Sequence, residues 1–282
     1  MKEREFFFSV ILSVYNVAPY IREAMDCLIS QDYGFENIQI IMVDDGSTDG
    51  TADMVKKYIP KAVVLKGDGN LWWGGALHEA YKYVNTNIAD EDYIFISNDD
   101  VDFSNDYIEK AIAILKKNPN TLLTGCGISK QTGEQVDGAV NFDFLKGGGT
   151  CEQGDERTGN CASTRSIFLR ASDMKKIGGF HPVLLPHYGS DYEWTIRANR
   201  KKNMKILCVS SLKYEVNEAT TGDHASKDRT LKQIFQKRST SNPIYKTTFC
   251  FLASPWGLKT ASFVCQCWRT LFPKKKQGDR YD

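Results

Sequence analysis

The sequence predicts an α/β domain in which a mostly parallel central sheet is flanked by helices. Three observations carry that prediction. Unbroken apolar runs at Phe6 to Val14, Ile38 to Val43 and Tyr93 to Ser97 have the pattern of strands buried on both faces. Between the first two, apolar residues recur at helical spacing over Ile21 to Ser30. The second and fourth strands end in acidic clusters, and open α/β sheets gather their ligands at the carboxyl edge of the strands.

The remaining elements follow in order. Asp44-Asp45-Gly46-Ser47-Thr48-Asp49-Gly50 is a turn whose Ser and Asp can cap a helix over Ala52 to Tyr58. A short third strand, Ala62 to Leu65, leads through a Gly-rich aromatic stretch, Gly67 to Gly75, into a helix around Ala76 to Tyr83. After the fourth strand come a helix over Tyr107 to Lys117, a strand over Thr121 to Ile128, and a Gly-rich polar stretch from Lys146 to Gly159 that reads as mobile. A strand at Ser166 to Leu169, helices at Ala171 to Ile177 and Asp191 to Lys201, and a strand at Lys205 to Val209 complete the domain.

Bulk properties narrow the function. A chain of 282 residues with 41% hydrophobic and 25% charged side chains can bury a sizeable core and is neither disordered nor polytopic. A formal charge of +1 supplies no general basic excess, so nucleic acid is not the expected partner and an anionic ligand must be held locally. The 8 cysteines contain no C-x-x-C pair, only Cys265-x-Cys267, which is poor zinc spacing. The start, Met-Lys-Glu-Arg-Glu, lacks the pattern of a secretory signal, and no run of about 18 apolar residues exists. The expected location is the cytoplasm, with reduced thiols, at the inner face of the cell membrane if the tail docks there.

The acidic strand ends are the first candidate site. Asp45 can accept hydrogen bonds from a nucleobase N–H, although a turn-and-cap role accounts for the same residues equally well. Asn98-Asp99-Asp100 emerges from a buried strand, where hard oxygen ligands suit Mg²⁺ or Mn²⁺ shared with a diphosphate. The second candidate is Gly69-Asn70-Leu71-Trp72-Trp73-Gly74-Gly75, where glycines let backbone N–H groups approach a phosphate or sugar at a helix start. A core tryptophan beside a helix-packing Gly pair is the plainer alternative.

Ser9-Val10-Ile11-Leu12-Ser13-Val14-Tyr15-Asn16, followed about thirty residues later by Val43-Asp44-Asp45-Gly46-Ser47, resembles the family-two glycosyltransferases with a GT-A fold, over roughly residues 8 to 210. The Trp-Trp-Gly-Gly segment resembles an LWWGG-type, rhamnosyltransferase-like subgroup. That resemblance implies a GT-A nucleotide-diphospho-sugar transferase domain over residues 1–240, with a donor half to about 102 and an acceptor half from about 103, then a helical tail over 241–282. It implies that Ser13, Tyr15, Asn16, Asp45, Asn70, Trp72, Trp73, Gly74 and Asp99 surround the donor, with Asp44 supporting. Asp100 and Asp99 are then metal ligands, with Asn98 replacing the family's first Asp. Asn217 or His224 is the further candidate ligand.

Gly189-Ser190-Asp191-Tyr192-Glu193-Trp194-Thr195-Ile196-Arg197 resembles the family's G-E-D-x-D-x-x-x-R segment, which makes Asp191 the general base. Ser190 stands where the family has Glu. His187, Glu193 and Arg197 are acceptor-side or supporting residues by the same alignment. His181 takes the Asp place of a G-G-F-D-E turn and reads as a surface turn residue. The implied partners are a UDP- or dTDP-sugar and a saccharide or lipid-linked saccharide acceptor. A nucleotidyltransferase would want a Gly-rich, Lys-containing loop after the first strand, which Ser13-Val14-Tyr15-Asn16 does not supply. A chain that binds a nucleotide sugar without turning it over remains the alternative, supported by Asn98, Ser190 and Asn217.

From Tyr245 to Phe272 aromatic and aliphatic residues run with few charges, and Lys274-Lys275-Lys276 follow. Such a tail either contacts an anionic membrane surface or packs Phe249, Phe251, Trp256 and Trp268 back on the domain, with Pro255 interrupting the helix.

Overall fold

The computed structural model describes residues 8–217, 231–237, 239–240 and 242–271. The first half alternates strand and helix: β1 (Phe8–Val14), α1 (Ile21–Ile29), β2 (Ile38–Asp44), α2 (Thr51–Tyr58), β3 (Val63–Lys66), α3 (Trp72–Asn87), β4 (Tyr93–Ser97), β5 (Val101–Phe103) and α4 (Tyr107–Lys117). The second half carries β6 (Thr121–Ser129), β7 (Gln135–Asp137), β8 (Ala139–Asp143), β9 (Gly148–Cys151), β10 (Glu156–Gly159), β11 (Cys161–Ala162), β12 (Ser166–Arg170), α5 (Ala171–Ile177), α6 (Ser190–Lys202) and β13 (Lys205–Val216). Beyond it lie α7 (Leu231–Ile234), α8 (Pro243–Ala253) and α9 (Lys259–Leu271).

The central sheet has the order β10-β13-β6-β12-β4-β1-β2-β3. Along this path β1, β2, β3, β4, β6 and β13 run the same way, while β12 and the edge strand β10 oppose them. The mostly parallel α/β architecture expected from the apolar runs is what the chain adopts. β8, β9 and β11 form a separate small sheet.

The apolar runs are unbroken because successive side chains enter two different cores. On β1, Phe8, Val10, Leu12 and Val14 join α1, α2 and α4, whereas Ile11 joins α3, α5 and α6 on the other face. Phe95 and Phe168, from neighbouring strands, stack at 4.0 Å with a 4° angle between rings and make the centre of the first core an aromatic cluster.

Three elements depart from the sequence expectation, each for a local reason. α3 starts at Trp72, not near Ala76, because the Asp45 carboxylate receives the backbone N–H groups of Leu71 and Trp72 at its N-terminus. β13 continues past Val209 to Val216, pairing with β5 and with β6 across a bulge between Cys208 and Lys213. The Gly-rich stretch forms β9 and β10 rather than a loop. Two of its glycines serve close approach: a Cβ on Gly149 or Gly159 would sit 2.4 Å from an atom of Val140. Phe6, Phe7, His224, Phe272 and Lys274 to Lys276 lie outside the described residues.

Candidate active site

The loops after β1 and β2 are tied into one unit. The Asn16 amide N–H donates to Ser47 Oγ at 2.9 Å, and the Thr48 N–H donates to Asn16 Oδ1 at 2.9 Å. Asp49 takes the Ala18 N–H on Oδ2 and the Thr51 hydroxyl and N–H on Oδ1. Asn16 therefore shapes the cleft by holding a loop, in the left-handed conformation that Asn tolerates (φ 53°). Asp44 supports the same turn by accepting from the Ser47 N–H at 2.9 Å.

Asp45 is buried, and its carboxylate accepts from the N–H groups of Gly69 (3.0 Å), Leu71 (3.1 Å) and Trp72 (2.9 Å). Three acceptor positions of about four are thus occupied by backbone. The cap role and the site role fall on one residue, since these bonds bend the Gly69–Trp72 loop over the cleft. Trp72 enters α3 at φ 56°, a strained value for a bulky side chain. Its indole Nε1–H is buried with no partner. Trp73 instead packs on the second core and donates from Nε1 to Thr164 Oγ1 at 3.0 Å.

Gly74 brings a second wall to the first. Its N–H donates to the Pro186 carbonyl at 2.8 Å, and a Cβ there would lie 2.5 Å from the Leu185 carbonyl oxygen. Only glycine permits that approach. It places His187 beside Trp72, ring centroids 5.7 Å apart. Ser190, at the position of the family's Glu, fixes this loop by donating from Oγ to the His187 carbonyl at 2.6 Å.

The result is a cleft of about 350 Å³ at the carboxyl edge of the sheet, lined by Ser13, Val14, Tyr15, Val17, Asp45, Gly69, Trp72, Trp73, Asp99 and His187. Seven of the residues singled out from sequence meet there. Asn16, Asn70, Gly74, Asp100 and Asp191 are not part of that lining, and Asn70 is exposed.

Burial, together with the negative charge of Asp100, raises the Asp99 carboxyl to about 6. The buried Asn98 Oδ1 has no partner. Two crowded carboxylates beside an unpaired oxygen fit a hard divalent cation, which would relieve both. Among the described residues, no group of three or more His, Cys, Asp or Glu side chains could hold an ion alone, so phosphate oxygens would have to complete its shell. Asn217 follows β13, whose Val216 pairs with Val101 beside Asp100, and its Oδ1 accepts from Gln131 Nε2 at 2.7 Å.

Asp191 lies in the first turn of α6, whose helix dipole favours a carboxylate. Burial outweighs that and raises its carboxyl to about 6, with the Tyr192 N–H at 2.9 Å and the charge of Arg165 opposing. Glu193 is elsewhere: it is buried, paired with Arg197 at 3.1 Å, and Arg197 donates onward to the carbonyls of Ile177 and Gly179. This pair anchors α6 to the Gly178-Gly179 turn, where the His181 Nε2 lies 3.8 Å from Glu193. Two residues apart on a helix, Asp191 and Glu193 face different ways, which accounts for their separate roles.

Arg165 has no sequence motif to announce it. It precedes β12, its carbonyl accepts the Asn98 N–H at 3.2 Å, and its Nη1 pairs with the buried Asp137 at 2.9 Å. The charges of Asp100 and Asp191 both act on it. Pairing of distant segments, β12 with β4 and Arg165 with Asp137, brings this cation within reach of the charges of Asp100 and Asp191.

An open α/β sheet with a cleft at its carboxyl edge is an architecture that binds its ligands there. Within that class the chain belongs to glycosyl transferase family 2, whose profile matches residues 9–174, more than half of its length. It is similar to glycosyltransferase AglE of Haloferax volcanii, 26% identical over 207 residues, which cover 68% of this chain and 61% of AglE. Two further curated relatives are spanned over 35% of their length. Among solved structures it is similar to S. aureus TarS 1-349 in complex with UDP-GlcNAc, with a TM-score of 0.61 at 20% identity over 95% of this chain and 76% of that one. It is also similar to the mannosyltransferase PcManGT from Pyrobaculum calidifontis in complex with GDP-Man and Mn²⁺, with a TM-score of 0.58 at 15% identity over 97% and 89%. At these identities the structural likeness establishes the GT-A-like fold.

Proposed function

We propose that this chain is an inverting transferase that moves a sugar from a UDP- or dTDP-linked donor to an acceptor hydroxyl in the synthesis of a surface polysaccharide or glycolipid. The observation that carries it is the convergence of Tyr15, Asp45, Trp72, Asp99 and His187 on one cleft, with Asp191 four residues beyond His187. The UDP-GlcNAc bound by TarS supports a UDP-linked donor, and the GDP-Man bound by PcManGT supports the broader class of nucleotide sugars.

In this reading Ser13, Tyr15 and the remaining acceptor position of Asp45 hold the base, while the Gly69–Trp72 loop closes over the ribose and diphosphate. Asp99 and Asp100 hold Mg²⁺ or Mn²⁺, as the Mn²⁺ in the PcManGT complex supports. When bound, such a cation offsets charge on the leaving diphosphate. Asp191 accepts the proton of the acceptor hydroxyl as its oxygen bonds to the anomeric carbon and the bond to the diphosphate breaks. Arg165 offsets the negative charge gathered between the two acidic centres. The partnerless Trp72 indole N–H is a donor ready for a sugar hydroxyl or phosphate oxygen. The LWWGG-like segment makes a rhamnosyl donor the first to test within a hexosyl and deoxyhexosyl panel.

The test is nucleoside diphosphate release from UDP- and dTDP-sugars with a mixed saccharide and lipid-linked acceptor pool. Release that needs Mg²⁺ or Mn²⁺ and disappears in Asp191→Asn, with nucleotide binding kept, supports the transferase. Binding without release from any donor supports the alternative, a nucleotide-sugar-binding scaffold.

A further inference from the structure

The last helix, α9, meets the domain through polar side chains, whereas α8 buries Phe249, Cys250 and Ala253. A surface helix ordinarily buries its apolar side. On α9 the buried side chains are polar: Ser262 is fully buried and donates to the Phe144 carbonyl at 3.1 Å, and Gln266 is 7% exposed. Its apolar side chains face out, with Phe263, Val264 and Trp268 all exposed and Trp268 at 64%. Val264 and Trp268, four apart, share one stripe of the helix. Ile244 and Phe251, seven apart on α8, form another, and Trp256 between the helices is 85% exposed. Of the four tail aromatics considered from sequence, Phe249 is buried in a core cluster, while Phe251, Trp256 and Trp268 are exposed.

Charge is segregated in the same region. Residues 229–278 contain ten Lys and Arg and no Asp or Glu, although the whole chain carries only +1. The rest of the chain is therefore net acidic. Lys259 lies 4.7 Å from the Phe251 ring centre and 4.8 Å from that of Trp256, so a cation and two exposed aromatics sit together. Among the described residues no helix is long and apolar enough to cross a bilayer. Exposed aromatics with interleaved cations and no anions are the chemistry of an interfacial contact with anionic lipid.

We propose that α8, α9 and the acid-free segment around them dock on the surface of an anionic lipid bilayer. The position gives this docking a use. Phe249 of α8 packs against Gly189, the residue preceding α6, two before Asp191: its ring carbon is 3.4 Å from where a Gly189 Cβ would be. Docking through α8 and α9 thus holds the proposed base near the membrane, and the proposed acceptor is a saccharide on a lipid carrier. That last step rests on the transferase reading; the docking itself does not.

The experiment is co-sedimentation of the full chain with phosphatidylcholine vesicles and with vesicles containing about a third phosphatidylglycerol, at low and high salt. The thermal shift with UDP and Mn²⁺ is read on the same preparation, so loss of vesicle binding and loss of the donor site are told apart. Binding is expected to the anionic vesicles only and to weaken with salt. Replacing Trp256 and Trp268 together by Ser lowers the affinity at least about tenfold. Replacing Lys274, Lys275 and Lys276 by Gln lowers it on the order of 100-fold, since each cation near an anionic surface contributes on the order of 1 kcal/mol. The tryptophan variant keeps the wild-type melting temperature, because both tryptophans are exposed. Equal binding to both vesicle types, no binding to either, or concentration-dependent self-association that the tryptophan variant abolishes would each overturn the proposal, the last in favour of a second copy of the chain.

Discussion

Asp191→Asn separates the proposed chemistry from the fold, because the structure predicts opposite signs for the two. Burial raises the Asp191 carboxyl from 3.8 to about 6, so the folded protein resists ionising it. The penalty is absent below the unfolded value near 4, grows as pH rises toward 6, and is constant above that. A difference of about 2 pH units corresponds to about 3 kcal/mol at neutral pH. This is an upper figure, since Asn keeps only part of the local hydrogen bonding. At an unfolding entropy of roughly 2 cal/mol/K per residue, that energy is about 5 °C in a chain of 282 residues. Differential scanning calorimetry should therefore show Asp191→Asn melting up to about 5 °C above wild type at pH 7.5, the gain shrinking to nothing by about pH 4. Transfer should fall by at least about 100-fold with nucleotide binding intact. A variant that melts at or below the wild-type temperature at pH 7.5 would refute the buried-carboxylate argument. Full transfer would remove Asp191 as the base.

The other predictions concern the walls of the cleft. Asp45→Ala strips three backbone N–H groups of their acceptor; urea unfolding should show a loss of about 1–3 kcal/mol, and the thermal shift with nucleotide should vanish. Gly74→Ala puts a Cβ 2.5 Å from the Leu185 carbonyl and should cost about 1–3 kcal/mol while raising KM for donor, because the His187 wall must move. Arg165→Gln removes the partner of the buried Asp137, so it should destabilise by about 3–5 kcal/mol, and the acid limb of the pH–rate profile should move up as Asp191 loses a favourable charge.

How much of this was legible in the sequence depended on how local its cause was. The strands β1, β2 and β4 and the helices α4 and α5 are set by apolar periodicity within themselves, and the reading placed them within a residue, except where Phe6 and Phe7 are undescribed. The start of α3 was missed by about four residues because its cap is Asp45, 27 positions from Trp72. β13 was cut short, although Leu212, Tyr214 and Val216 alternate with exposed Lys213 and Glu215 in the period of a half-buried strand. The Gly-rich stretch mixes two uses that composition does not separate: Gly147 and Gly154 take positive φ, while Gly149 and Gly159 allow tight contact with Val140.

For the site, residues carried by a motif, such as Ser13, Tyr15, Asp45, Trp72 and Asp99, meet in the cleft. The tertiary partners were invisible: Arg165 and Asp137 lie on separate segments with no shared spacing. Glu193 reads from the sequence as an acceptor-side or supporting residue, and its pairing with Arg197 gives it a supporting place that holds α6.

The most direct test of the central claim is the thermal shift of the purified chain with UDP, dTDP, GDP and ADP, each with and without Mn²⁺, beside Asp100→Ala. A ligand that binds only the folded state raises its melting temperature. The donor site assigned here predicts a shift with UDP or dTDP that requires Mn²⁺ and is lost in Asp100→Ala. No shift with any nucleotide, or a shift indifferent to both the metal and Asp100, would contradict it.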